Sequence, residues 1–276
     1  MRKFKELAVR RVPQAALEAA RSETFVAHER DQGRVEAQSM LSVSVFAEYF
    51  EMLLLAMRRE QSPTSVDGEE KAFLNQEARH AAACHVLNER ILGTGAYRHD
   101  PRLGRIPAIV DSHPLLGADA SFEELSFTAA ATEAAFGVQS VLAMDNAGEA
   151  RWLKHPGAYY LFLYHMAEEA EHSHVSWAAH ERAFGPIDVK SRRFLGVLER
   201  YGAVAARLMC RLGDHLGAPI VVDDAVASWS RIIELGKNRA TSGDFEMFTD
   251  ARRQCVQRWD GQWEPVYRRA CEQLAP

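Results

Sequence analysis

Two pairs of residues in this chain are spaced for shared chemistry: Glu77 with His80, and Glu169 with His172. Each pair is three residues apart, so on a helix both side chains leave from one face and can meet a single ion. Glu48 and Glu133 lie upstream of the two pairs, each inside an otherwise apolar run. A carboxylate is costly to bury alone, and a cation offsets that cost. The chain order is therefore Glu, ExxH, Glu, ExxH, a set of four carboxylates and two imidazoles. Oxygen-rich donors of this kind suit two iron ions, with manganese the alternative, because carboxylates stabilise the higher oxidation states and can bridge two ions. Zinc more often takes a richer His or Cys set.

His165 precedes Glu169 by four residues and His172 by seven, and at about 100° per residue the three fall on one side of a helix. His165 is therefore expected at the same centre. Glu168 reaches that face from the other side of His165 and is the candidate catalytic residue, a base standing behind the ligands. Glu169 is preferred to Glu168 as a ligand because it alone forms the i, i+3 pair with His172. Glu51 competes with Glu48 for the first ligand position, and Glu48 is preferred. Cys84 and His85 read as packing or supporting residues, and His174 and His180 fall away from the centre.

Proline, glycine and capping residues divide the chain into long helical pieces with no alternating β-branched segments, so the expected fold class is all-α. Helices are expected from about Gly33 to Glu60, from Asp67 or Gly68 to Leu92, from a Ser121–Glu124 capping box to about Asn146, and from Pro156 to Phe184. Three more helical stretches follow, near Asp188–Leu216, Asp223–Lys237 and Phe245–Leu274. The segment from Gly93 to Ala120 reads as a long connection that carries the chain across a bundle. Glu48 lies about twelve residues before its helix ends and Glu77 about ten after the next begins, so across an antiparallel hairpin they share a depth. Glu133 and Glu169 lie about twelve residues on either side of their turn and meet likewise. The whole chain, 1–276, is read as one domain, with the metal-binding bundle at about 33–185 and a helical extension at about 187–276.

The composition of the 276-residue chain, 47% apolar and 26% charged, is that of a soluble globular protein. A formal charge of -5 leaves no excess of Lys and Arg to neutralise phosphates, which argues against a nucleic-acid partner. The basic start MRKFKELAVRR is followed by no apolar stretch, and no run is long enough to span a bilayer, so no membrane partner is expected and the location is expected to be cytoplasmic. Cys84, Cys210, Cys255 and Cys271 form no CxxC pair and read as reduced thiols.

The segments Phe73-Leu-Asn-Gln-Glu77-Ala-Arg-His80 and His165-Met-Ala-Glu-Glu169-Ala-Glu-His172, with Ala47-Glu48-Tyr49-Phe50 upstream, resemble a bacterial family labelled predicted metal-dependent hydrolases, within the ferritin-like superfamily. The resemblance covers about Met40 to His180. The H-x3-E-x2-H run is also similar to that of the diiron arylamine N-oxygenases, in which a third histidine ligates one iron. The resemblance implies a ferritin-like four-helix bundle with a dimetal carboxylate core and additional C-terminal helices. It also implies ligation by Glu48, Glu77, His80, Glu133, His165, Glu169 and His172.

The expected function is that of a non-haem diiron monooxygenase, with O2 as co-substrate and a separate electron donor. It would oxidise a small organic molecule by N-oxygenation, hydroxylation or a related reaction. Ala129, Ala130 and Gly137 on the Glu133 face, with Ser126 and Ser140, leave room for such a molecule, and Phe50, Phe73, Phe136 and Phe162 can wall it. One alternative is a metal-dependent hydrolase that activates water; another is a non-enzymatic iron-binding protein. The C-terminal helices, with Trp229, Trp259 and Trp263, are expected to pack on the bundle or to form a homodimer interface.

Overall fold

The computed structural model describes residues 33–60, 68–110, 120–146 and 156–217, with isolated positions from 219 onward. The described residues are overwhelmingly helical: α1 (Gly33–Glu60), α2 (Gly68–Leu92), α3 (Phe122–Asn146), α4 (Pro156–Phe184) and α5 (Arg192–His215). The boundaries follow local chemistry. At the start of α3, the Ser121 N–H donates to the Glu124 carboxylate at 2.8 Å and the Glu124 N–H donates to Ser121 Oγ at 3.2 Å, a reciprocal capping box. At the end of α4, Gly185 takes a positive φ of 95° and its N–H closes on the Glu181 carbonyl.

Two expectations are corrected. The helix expected from Asp188 begins at Arg192, because Ser191 Oγ accepts the Phe194 N–H as an N-cap while Asp188 to Ser191 form a turn. The long connection after α2 holds a small antiparallel ribbon, β1 (Tyr97–Asp100) and β2 (Gly104–Pro107), where no sheet was expected. Its turn is built by Asp100, whose Oδ1 accepts the N–H groups of Arg102 and Leu103, and by Gly104 at a φ of 84°. The helices expected at Asp223–Lys237 and Phe245–Leu274, and their three tryptophans, lie outside the described stretches.

The helices pack in a ring in which each runs antiparallel to both neighbours. Ser44 meets Asn88 and Glu51 meets His80 between α1 and α2. Gln76 meets His172 and Glu70 meets Arg182 between α2 and α4. Ser140 meets Met166 and Ser126 meets His180 between α3 and α4. Phe46 and Phe50 of α1 pack on Phe136 of α3, closing the ring. The diagonal helices α2 and α3 are consequently parallel, which requires the long connection between them.

α5 lies outside the ring, across α1 and α3. Its apolar stripe, Phe194, Val197, Leu198, Tyr201, Ala205, Leu208, Met209 and Leu212, repeats every three or four residues. The Tyr201 ring sits edge-on to Phe46 at 5.1 Å and to Phe136 at 5.3 Å, and its hydroxyl donates to Gln139 at 3.1 Å. Fully burying each such ring contributes roughly 1.5–3 kcal/mol. α3 therefore has neighbours on three sides, which explains why it is alanine-rich and apolar round most of its circumference. No helix among the described residues is long and apolar enough to cross a membrane.

Candidate metal centre

All four helices of the ring send an acidic side chain to one depth. Glu51, Glu77, Glu133 and Glu169 are each at most 2% exposed, as are His80 and His172, and His165 is 7% exposed. Glu169 Oε1 is the hub, 3.2 Å from His80 Nδ1, 3.1 Å from His165 Nε2 and 3.2 Å from His172 Nε2. Glu77 Oε1 lies 3.0 Å from His172 Nε2 and 3.4 Å from His80 Nδ1. Glu51 Oε1 lies 3.3 Å from His165 Nε2, and Glu133 Oε2 lies 3.6 Å from His172 Nε2.

These atoms form two overlapping groups with the composition of a metal site. Glu51, His80, His165 and Glu169 are one; Glu77, His80, Glu169 and His172 are the other; within each, the donor atoms all lie within 4.8 Å of one another. Apart from the 3.1 Å hydrogen bond between His165 Nε2 and Glu169 Oε1, the donors crowd together without satisfying each other. Both oxygens of Glu51 and of Glu77, Glu133 Oε2, Glu169 Oε2, His80 Nδ1 and His172 Nε2 are buried with no hydrogen-bond partner among the described residues. Buried orphans of this kind are rare and expensive, and a cation among them would satisfy all at once. The residues present thus fit a metal.

The electrostatics agree. Burial, reinforced by the neighbouring carboxylates, pushes the Glu51 and Glu133 carboxyls well above the usual range. Burial also opposes charge on Glu169, yet the imidazoles of His172, His165 and His80 hold its carboxyl well below the usual range. His80 and His172 are buried, which disfavours their charge, but their carboxylate neighbours raise both well above the ordinary imidazole value. Burial and the nearby His80 lower His165. Without a cation the cluster keeps itself neutral by holding protons.

The outward nitrogens of His80 and His172 are anchored, and that of His165 is held more loosely. His80 Nε2 donates to Glu168 Oε2 at 3.1 Å, His172 Nδ1 donates to Gln76 Oε1 at 3.0 Å, and His165 Nδ1 lies 4.0 Å from Cys84 Sγ. Such partners fix which nitrogen faces the centre. The first two contacts are reciprocal across the α2–α4 interface: the residue before each ExxH glutamate holds the histidine of the opposite helix. Glu168 accordingly stands behind His80, at the outer nitrogen of that ring. Gln76 was missed in the sequence, although its register before Glu77 copies that of Glu168 before Glu169.

Glu48, expected as a ligand, belongs to neither group. Its Oε1 accepts from His85 Nδ1 at 2.7 Å, and its Oε2 accepts from Asn88 Nδ2 at 2.6 Å and from the Tyr97 hydroxyl at 3.2 Å. Glu51, one turn along α1, occupies the place assigned to it. The ribbon that supplies Tyr97 explains the difference, because it gives Glu48 a hydrogen-bonded niche of its own. Among the residues expected to shape a pocket, Phe50 packs on Phe136 between α1 and α3, Phe136 also meets Tyr201 of α5, Ala130 joins a second core beside α5, and Ser140 donates to Met166 Sδ. The chain matches no family model, no curated protein and no solved structure.

Proposed function

We propose that this chain is a ferritin-like diiron protein that uses O2 to oxidise a small organic molecule. The observation that carries the reading is the donor set itself: four buried carboxylates and three imidazoles converge from all four helices, with most of their inward atoms unsatisfied. Glu51, Glu77, His80, Glu133, His165, Glu169 and His172 would hold two iron ions, with Glu169 central to both groups. Iron bound there would supply the electrons and oxidising power for O2 chemistry.

The rest is done by the side chains. Glu168 and Gln76 orient His80 and His172, and the apolar layers above and below the cluster limit water. A hydrolase would use the same donors, but the carboxylate-rich set favours iron over zinc.

Anaerobic reconstitution with Fe(II), metal analysis and exposure to O2 in an oxygen electrode test the proposal. About two irons per chain and O2 uptake on mixing are expected. Iron binding without O2 uptake would leave only metal sequestration or hydrolysis.

A further inference from the structure

Next to the cluster, on the side toward the carboxyl end of α1, lies a cavity of about 70 Å³. Its inner lining includes one residue from each helix of the ring, and each is a single turn from a member of the cluster. Leu54 follows Glu51 by three residues, Phe73 precedes Glu77 by four, Ala129 precedes Glu133 by four, and Ser176 follows His172 by four. A turn of three or four residues rises about 5–6 Å, so the cavity is the layer immediately beside the metal donors. Phe73 forms the wall between them, its ring edge-on to the His172 ring at 4.8 Å.

The cavity is apolar with a single inner hydroxyl. Ser176 is 8% exposed, lines the cavity, and its Oγ has no hydrogen-bond partner among the described residues. A buried hydroxyl in that condition is costly unless a ligand meets it. Farther out, half-buried Glu70, Leu74, Ser126 and Ala179 form the rim, and Arg182 pairs with Glu70 there at 2.7 Å. Size narrows the occupant. An enclosed apolar cavity that accepts benzene measures about 150 Å³, so the inner space here holds roughly two or three heavy atoms, the slender end of a chain whose remainder lies at the open rim, and is too narrow for a ring.

We propose that this cavity receives the reacting end of the substrate, and that it takes a short unbranched aliphatic chain with one hydrogen-bonding group on Ser176 while excluding an aromatic ring. That the occupant is a substrate rests on the oxidation reading above; that it binds does not. A second cavity, of about 30 Å³, lies on the other side of the cluster, between Cys84, His165 and Met166, and has room for little more than a water molecule.

The two cavities carry separate reporters, Met57 in the first and Met166 in the second. In full-length protein labelled at the methionine methyls, with both signals assigned by Met→Leu variants, 1-butanol should shift Met57 saturably and leave Met166 in place. Benzyl alcohol should shift neither. Ser176→Ala should weaken 1-butanol binding roughly threefold to tenfold, and Ala129→Leu should abolish it by filling the cavity. An unmoved Met57, a shift at Met166 instead, or equal binding of benzyl alcohol overturns the assignment. Iron content measured on the same samples separates the two readings. Butanol binding without iron binding refutes the diiron centre alone, and two irons without butanol binding refute the cavity alone.

Discussion

His80 of α2 and Glu168 of α4 are joined across the helix interface by a 3.1 Å contact from Nε2 to Oε2, and that contact turns His80 Nδ1 toward the carboxylate cluster. His172 is held the same way, but by the neutral amide of Gln76. A carboxylate makes the imidazole it holds a more basic donor than an amide does.

Glu168→Ala should therefore lower metal affinity by about 10–100-fold, the usual cost of losing such a partner. Glu168→Gln, which keeps an acceptor and removes the charge, should cost less. Competition titrations against a chromophoric chelator give the order. Equal affinity in all three proteins would mean that His80 is not a ligand.

Glu51 and Glu48 lie one turn apart on α1 with different partners, and substitution separates them. Glu51→Ala should reduce bound metal from about two ions to about one. Glu48→Ala should leave two ions bound but destabilise the fold by about 2 kcal/mol, because Asn88, Tyr97 and His85 lose their acceptor. Metal analysis and chemical denaturation of the two variants decide it, and the reverse pattern would restore Glu48 as the ligand.

The two ExxH motifs and the helix ends were legible in the sequence because both rest on local rules: i, i+3 spacing, a capping box, and proline and glycine stops. The choice between Glu48 and Glu51 was not. Helical depth alone places both near Glu77, and what decides between them is a tyrosine delivered by a β-ribbon from 49 residues away in the chain. The ribbon itself gave little warning, since Arg98, His99 and Arg105 are not strand-forming residues and its stability comes from the Asp100 turn and the burial of Ile106. Gln76 escaped notice for another reason. A neutral residue draws attention as a partner only when the reciprocal contact of Glu168 with His80 is seen in three dimensions.

The metal-free protein should lose stability as pH rises above about 6.5, the ordinary imidazole value, and the metal-loaded protein should not. The folded state raises the affinity of Glu51, Glu133, His80 and His172 for protons. Such groups stabilise fully below their unfolded values, about 4.3 for Glu and 6.5 for His, and that contribution is lost as pH climbs through their folded values. Glu169 and Glu77 are lowered, so their contribution is lost only as pH falls below the ordinary carboxylate range, and the lowered His165 opposes the trend only up to the ordinary imidazole value of about 6.5, so neither acts above it. Bound metal replaces the protons and removes the dependence. Thermal melts of both forms above that value provide the check; a metal-free melting temperature that climbs as pH rises would contradict the charge state inferred for the cluster.

His165 is the residue that adds a third imidazole to a plain Glu, ExxH, Glu, ExxH set. Its Nε2 faces Glu51 and Glu169, whereas its other nitrogen has, among the described residues, only the weak partner Cys84 at 4.0 Å. It is therefore the least firmly oriented of the three histidines, and the six remaining donors should still hold two metals when it is removed. His165→Ala is expected to keep about two irons per chain, because Glu51, Glu77, His80, Glu133, Glu169 and His172 are untouched. Its effect should fall on the reaction with O2, since losing a neutral nitrogen donor changes both the iron potential and the space at the metal. The rate of O2 uptake by the iron-loaded variant should differ from that of the parent. Millimolar imidazole should bring it back toward the parent rate, because the deletion enlarges the adjoining cavity of about 30 Å³ at the vacated position. An unchanged rate would make His165 a packing residue, and loss of one iron would make it indispensable to the centre; either result rejects the role given to it here.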